Sequence, residues 1–248
     1  MRFKGQDDTE KEHAYVEKLE EYIASSPFSQ VDKFQNFTKY ITRQSLTKFI
    51  CKHELFKKIL GINGSVIECG VLFGGGLMTW AQLSAIYEPI NYTRKIIGFD
   101  TFEGFPSIGE QDQKSKSLEC FPGGMQVDSY EDLKTSAELF DQNRPIGHIP
   151  KVELVKGDAT LTIPEYIENN PHLIVSLLYL DFDLYEPTVI ALESILPRMP
   201  KGAVIVFDEI NNPHWPGETL AVIDKIGVRN LRLERFYFES YISYAVLD

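Results

Sequence analysis

Apolar positions along the chain follow two rhythms. Up to Leu60 they recur at helical spacing; from Val66 onward, short apolar runs alternate with helical stripes. Tyr15, Leu19, Tyr22 and Ile23 predict an amphipathic helix ended by Ser25-Ser26-Pro27, after a charged stretch, residues 1–12, expected to fray. Phe34, Phe37 and Ile41 predict a second helix and Leu46, Phe49 and Ile50 a third. Leu55, Phe56, Ile59 and Leu60 complete the region before Gly61. Val66, Ile67, Cys69 and Val71 read as a buried strand, followed by a helix with Leu77, Trp80, Ala81, Ser84 and Tyr87 on one face. Lys95–Asp100 and Val152–Lys156 are further strands. The runs Ile174–Leu180 and Ala203–Phe207 suit parallel strands buried on both sides. Leu231–Phe238 and Tyr241–Leu247, linked by Glu239-Ser240, predict a terminal antiparallel hairpin. The pattern is that of an α/β chain: an N-terminal helical region over 1–60, then a Rossmann-like domain over 61–248 interrupted by a long insertion at 107–150.

The stretch Glu68-Cys-Gly70-Val-Leu-Phe-Gly74-Gly75-Gly76 joins the first strand to its helix. A strand, a glycine turn and a helix N-terminus suit a nucleotide-like ligand, because free N–H groups meet the positive end of the helix dipole. Spacing narrows the choice. The dinucleotide fingerprint is broken by Leu72 when read from Gly70 and by Thr79 when read from Gly74. A P-loop is excluded by Leu77, which stands where lysine is required. What remains resembles motif I of the S-adenosylmethionine (SAM) dependent methyltransferases, in which the carboxylate, here Glu68, faces the cationic amino-acid end of the ligand.

Asp100 closes the second strand, 32 positions after Glu68, and offers two acceptor oxygens for ribose hydroxyls or a turn cap. Asp158-Ala159 follows the third strand, as a turn or as an adenine contact. Asp181-Phe-Asp183 and Asp208-Glu209 end two consecutive buried strands. Strand tips in a parallel sheet stand ~5 Å apart, so Asp181, Asp208 and Glu209 are expected to converge. Three such carboxylates repel unless a cation lies among them, and oxygen-only ligands favour Mg²⁺ or Mn²⁺, or else Ca²⁺. Asp128 with Glu131 reads as a capping box opening a helix inside the insertion, a place for acceptor selection or subunit contact. His148 and His214 stand beside Asp181 as alternative bases.

Phe99-Asp-Thr101-Phe-Glu-Gly104-Phe-Pro106, Tyr179-Leu-Asp-Phe-Asp-Leu-Tyr-Glu-Pro-Thr188 and Asp208-Glu209 with Trp215-Pro-Gly217 resemble segments of the TylF/MycF-type (macrocin-type) sugar O-methyltransferases. The resemblance covers roughly residues 40 to 248. It implies a class I SAM-dependent methyltransferase fold, a mostly parallel seven-stranded sheet with a C-terminal antiparallel hairpin, acting on deoxyhexose hydroxyls. It also implies SAM contacts at Glu68, Gly70, Gly74, Asp100, Thr101, Asp158 and Ala159. Asp181 would be base and metal ligand, with Asp208 and Glu209 completing the ion site. Glu209 departs from the family, which usually has a second aspartate there; Asn211 and Asn212 replace a glycine-containing turn.

Composition adds exclusions. A formal charge of −11, from 25 basic and 36 acidic residues, disfavours nucleic acid and anionic membrane surfaces as partners. No apolar run approaches the ~20 residues that span a bilayer, and Cys51, Cys69 and Cys120 lack metal or disulfide spacing, as expected of a cytoplasmic chain. The N-terminal aromatics are expected in the core or in homo-oligomer contacts. Two other classes stay open, a nicotinamide oxidoreductase and a catalytically silent nucleotide-binding scaffold. Among methyltransferases, phenol, catechol or amine acceptors stay open as well.

Overall fold

The computed structural model describes residues 9–248, so most of the stretch expected to fray lies outside the described residues. Thr9 and Glu12 instead form a reciprocal capping box that starts helix α1, Glu10–Ser25. The described residues divide into two compact units, one ending at Ile50 and the other Cys51–Asp248. In the first, α1 is followed by α2, Gln30–Gln35, capped by Ser29, and by a 3-10 turn at Phe37–Lys39. Tyr22 stacks on Tyr40 at 5.5 Å, and Lys33 Nζ donates to Ile23 O at 2.8 Å. The third and fourth predicted apolar stripes form one helix, α3, Arg43–Lys58. Nothing between Ile50 and Leu55 breaks the 3.6-residue period.

The second unit is built on a sheet. In chain order its elements are β1 Ser65–Cys69, α4 Gly75–Tyr87, β2 Ile96–Asp100, α5 Tyr130–Gln142, β3 Val152–Lys156 and α6 Ala159–Asn169. They continue with β4 Val175–Leu180, α7 Tyr185–Ile195, β5 Val204–Phe207, α8 Pro216–Lys225, β6 Glu234–Arg235 and β7 Ser243–Val246. The strand order is β3-β2-β1-β4-β5-β7-β6, parallel throughout except that β7 runs antiparallel to both neighbours. The predicted hairpin is present, but β7 lies between β5 and β6 and both strands are shorter than their apolar runs.

Alternation along the strands explains the layers. Val66, Ile96, Leu177, Tyr179, Val204 and Val206 face one way, against Leu55 and Phe56 of α3 and Leu77 and Trp80 of α4. Ile67, Ile97, Leu178, Ile205 and Phe207 face the other way, against Ile163 of α6, Leu192 of α7 and Val222 of α8. Helices on both faces leave the strands dry on both sides, hence their continuous apolar runs. Each such large side chain contributes roughly 1.5–3 kcal/mol by burial. The chain winds outward from β1 through β2 to β3, then returns to place β4 on the other side of β1. That reversal opens a crevice at the carboxyl ends of β1 and β4, where α/β sheets bind ligands. Among the described residues, no helix is long and apolar enough to cross a membrane.

The insertion differs from expectation. Helix α5 starts at Tyr130, and its N-cap Ser129 makes no side-chain capping bond; the Ser129 hydroxyl donates to Leu72 O instead. The Asp128–Glu131 capping box is therefore not formed. The serine that would have capped α5 ties it to the glycine turn.

Candidate active site

At the switch point, Asp181 N–H donates to Cys69 O at 2.8 Å, bringing the tips of β1 and β4 together. Gly70 is required there. Its φ is +86°, and a Cβ would lie 2.0 Å from Asp181 O. The cleft over this junction encloses about 880 Å³, open solvent at its mouth included. Its walls include Gly70, Asp100, Thr101, Asp158, Ala159 and Asp181, six of the residues singled out by sequence.

Each carboxylate here also has a local task. Asp100 Oδ2 accepts from the N–H groups of Val71 and Leu72 at 2.7 and 2.9 Å, and Oδ1 accepts from Phe102 N–H at 2.6 Å. It thereby holds the turn in which Leu72 adopts φ +51°. Asp158 caps α6, accepting from Thr160 N–H at 2.9 Å and Thr160 hydroxyl at 2.7 Å.

Glu68 and Gly74 are placed differently. Gly74 adopts φ +81° as the N-cap of α4, and a Cβ would strike Leu133 of α5, so it serves packing. Glu68 is 2% exposed and lies behind the glycine turn, off the cleft wall. Its Oε2 accepts from Lys52 Nζ at 3.2 Å and from Trp80 Nε1, and Oε1 would lie 2.3 Å from a Cβ at Gly76. Burial pushes the Glu68 carboxyl up, opposed by the Lys52 charge and the Trp80 N–H. Lys52 sits 3.4 Å over the Tyr179 ring. Sequence reading missed Lys52, since its only signal is a lone lysine on an apolar helix face.

The acidic centre lies on the other side of β4. Tyr179 OH donates to Asp208 Oδ1, and Asn212 Nδ2 donates to Glu209 Oε2. Asp208 is buried; Asp181 and Glu209 are half-buried. Among the described residues, no three His, Cys, Asp or Glu side chains stand close enough together to form a metal cage. A fourth carboxylate joins this region unforeseen. Glu218 of α8 is fully buried; Oε1 accepts from Glu209 N–H at 3.1 Å, and Oε2 has no hydrogen-bond partner among the described residues. Burial pushes its carboxyl well up, and the charges of Asp208, Asp181 and Glu209 push further, against the Glu209 N–H. His148 is exposed just before β3, at the amino end of the sheet and so away from the cleft. His214 sits in the β5–α8 loop, its N–H donating to Asn212 Oδ1 at 2.9 Å.

A model of the macrocin-O-methyltransferase (TylF) family matches residues 40–224. The chain belongs to this family. It is 32% identical to calicheamicin methyltransferase CalS11, with 98% of each chain covered and a TM-score of 0.93. An apo structure of CalS11, described as a TDP-rhamnose 3'-O-methyltransferase, covers 96% of this chain and 95% of its own at a TM-score of 0.84. A curated relative from Streptomyces olivaceus, 8-demethyl-8-(2,3-dimethoxy-alpha-L-rhamnosyl)-tetracenomycin-C 4'-O-methyltransferase, is 26% identical over 155 residues. That match spans 60% of this chain and 54% of the relative. As a TylF-family protein the chain has the class I SAM-dependent methyltransferase fold.

Proposed function

We propose that this protein is a SAM-dependent, divalent-metal-assisted O-methyltransferase acting on a hydroxyl of a sugar carried by a natural product or a nucleotide. The observation that carries the reading is Asp181, on the cleft wall against the glycine turn, where cofactor and acceptor have to meet. The relatives' rhamnose-linked acceptors support a deoxyhexose. Among the described residues, the cleft is lined by Asp100, Asp112, Asp158, Asp181, Asp183 and Glu186, and by no lysine, arginine or histidine. Such a wall attracts the sulfonium and ammonium of SAM and repels phosphate. The sugar therefore enters the cleft, and any diphosphate attached to it stays outside.

In this reading Gly70, Asp100, Thr101, Asp158 and Ala159 bind SAM, with Glu68 and Gly74 shaping the turn from behind. Asp181 takes the proton from the acceptor hydroxyl, and in-line approach to the methyl group is set by holding both partners at the switch point. The oxygen-only donor chemistry of Asp181, Asp208 and Glu209 suits a hard divalent ion; since no three such side chains form a ready-made cage among the described residues, they would have to draw together around it. Bound there, Mg²⁺ or Mn²⁺ would acidify a coordinated sugar hydroxyl. The test is methyl transfer from SAM to TDP-rhamnose and to an uncharged rhamnoside, before and after EDTA treatment and with Mg²⁺ restored. Transfer to either sugar that EDTA stops and Mg²⁺ restores is the expected result. Transfer to neither would overturn the sugar reading, and transfer indifferent to EDTA would remove the metal from it.

A further inference from the structure

We propose that Asp112, from the insertion, is a positioning residue that latches the acceptor-binding loop onto the turn carrying Asp181. Asp112 lies in a 3-10 turn, Gln111–Lys114, and is 2% exposed although the residues around it are largely exposed. Its carboxylate reaches across 73 positions of sequence to the first N–H of α7, Tyr185, with Oδ1 at 3.0 Å and Oδ2 at 3.3 Å. The helix's own N-cap, Leu184, supplies no side-chain acceptor, so Asp112 caps α7 from another part of the chain. A carboxylate also suits the positive end of that helix dipole.

Two further contacts dock the same loop. Ser115 hydroxyl donates to His214 O at 2.5 Å, and Phe105 meets Trp215 edge to face at 5.7 Å. Gly217 makes room for the latch: a Cβ there would lie 2.2 Å from Asp112 Oδ1 and 2.4 Å from Tyr185 N. Trp215-Pro-Gly217 thus serves as the seat on which insertion and α7 meet.

The four residues immediately before Tyr185 are the Asp181–Leu184 turn. Asp183 there adopts φ +63°, a left-handed conformation costing an L-residue ~1 kcal/mol or more, and Leu184 N–H donates to Phe182 O at 2.7 Å within the turn. A tight turn containing a strained residue persists when its ends are fixed. One end is fixed by Asp181 N–H on Cys69 O, and the other by Asp112 on Tyr185 N–H. Asp112 also lines the cleft, so docking of the insertion and the shape of the catalytic turn are one event.

This inference rests on the proposed function only in giving Asp181 its role; the latch itself is tested without turnover. Hydrogen–deuterium exchange of peptides covering 105–120 and 181–188 is compared in the wild type, Asp112→Ala and Asp112→Asn. Asparagine keeps an oxygen that accepts from Tyr185 N–H; alanine does not. The expected result is roughly tenfold or faster exchange of both peptides in D112A and near-wild-type exchange in D112N. If D112A does not accumulate, Asp112→Ser, too short to reach Tyr185, carries the same comparison. A 181–188 segment that stays protected in D112A or D112S, or a D112N that loosens as much as D112A, overturns the latch. Failure of the wild type to methylate either rhamnose probe would instead strike the proposed function and leave the exchange result intact.

Discussion

Two buried glutamates flank β4, and their surroundings could hardly differ more. Glu68, behind the glycine turn, is met by the Lys52 ammonium and the Trp80 N–H, so its charge is balanced inside the protein. Glu218, behind the β5 tip, receives one backbone N–H and otherwise faces three more carboxylates. Buried polar groups are nearly always partnered, and an orphaned one calls for an explanation. Behind the glycine turn, charge is therefore balanced within the protein by residues that do not touch the cleft. At Glu218 the acidic half shows no such pairing among the described residues: one carboxyl oxygen lacks a hydrogen-bond partner, and burial with the neighbouring carboxylates favours its protonated form.

This contrast is broken or sharpened by substitution. The largest effect on activity is expected from Asp181→Asn, which removes the proposed base: turnover falls by ~10²–10⁴ while SAM affinity measured by calorimetry is kept. Lost SAM affinity in that variant would move Asp181 into the cofactor socket. Lys52→Met comes next and acts on stability. It strands Glu68 in the core, and breaking a buried pair from one side costs about 3–5 kcal/mol, read as a large drop in Tm. Glu218→Gln should do the opposite in metal-free protein, raising stability by ~1–3 kcal/mol, and it should shrink the rise in Tm that Mg²⁺ gives the wild type. The same direction of effect from both glutamate partners would erase the distinction between the halves.

The smallest effect concerns a charge outside the comparison, at the amino end of the sheet. Lys151 is buried, and burial pulls its ammonium from the ordinary 10.5 down to about 8, against the Glu88 charge. Between about 8 and 10.5 the unfolded chain holds a proton there that the folded chain has lost. Stability from this group therefore rises with pH across that window, and its cost is fully present below it. NMR titration of the Lys151 ε-methylene should place its midpoint near 8.

The strands were legible because burial on both faces leaves an uninterrupted apolar run, as in Val175–Leu180. The glycine turn and the strand-end carboxylates were legible because spacing along the chain maps directly onto the sheet's carboxyl edge. What was not legible is what depends on distant partners. Glu68 looks like a cofactor ligand until Lys52, sixteen residues earlier on helix α3, is seen beside it. Asp100 reads as a ribose acceptor, yet three backbone N–H groups already converge on it. The Asp128–Glu131 pattern failed for the same reason, since Ser129 is drawn to Leu72 by a tertiary contact that no local rule anticipates. Glu218 and Asp112 carried no local signal at all.

The most direct measurement is titration of Mn²⁺ into EDTA-treated, dialysed protein, followed by electron paramagnetic resonance, in the wild type and in Asp208→Asn. Saturable binding at a single site in the wild type, weakened tenfold or more in D208N while SAM affinity is unchanged, is the predicted result. No saturable binding, or equal binding in the two proteins, would contradict the claim that the acidic half is completed by a cation.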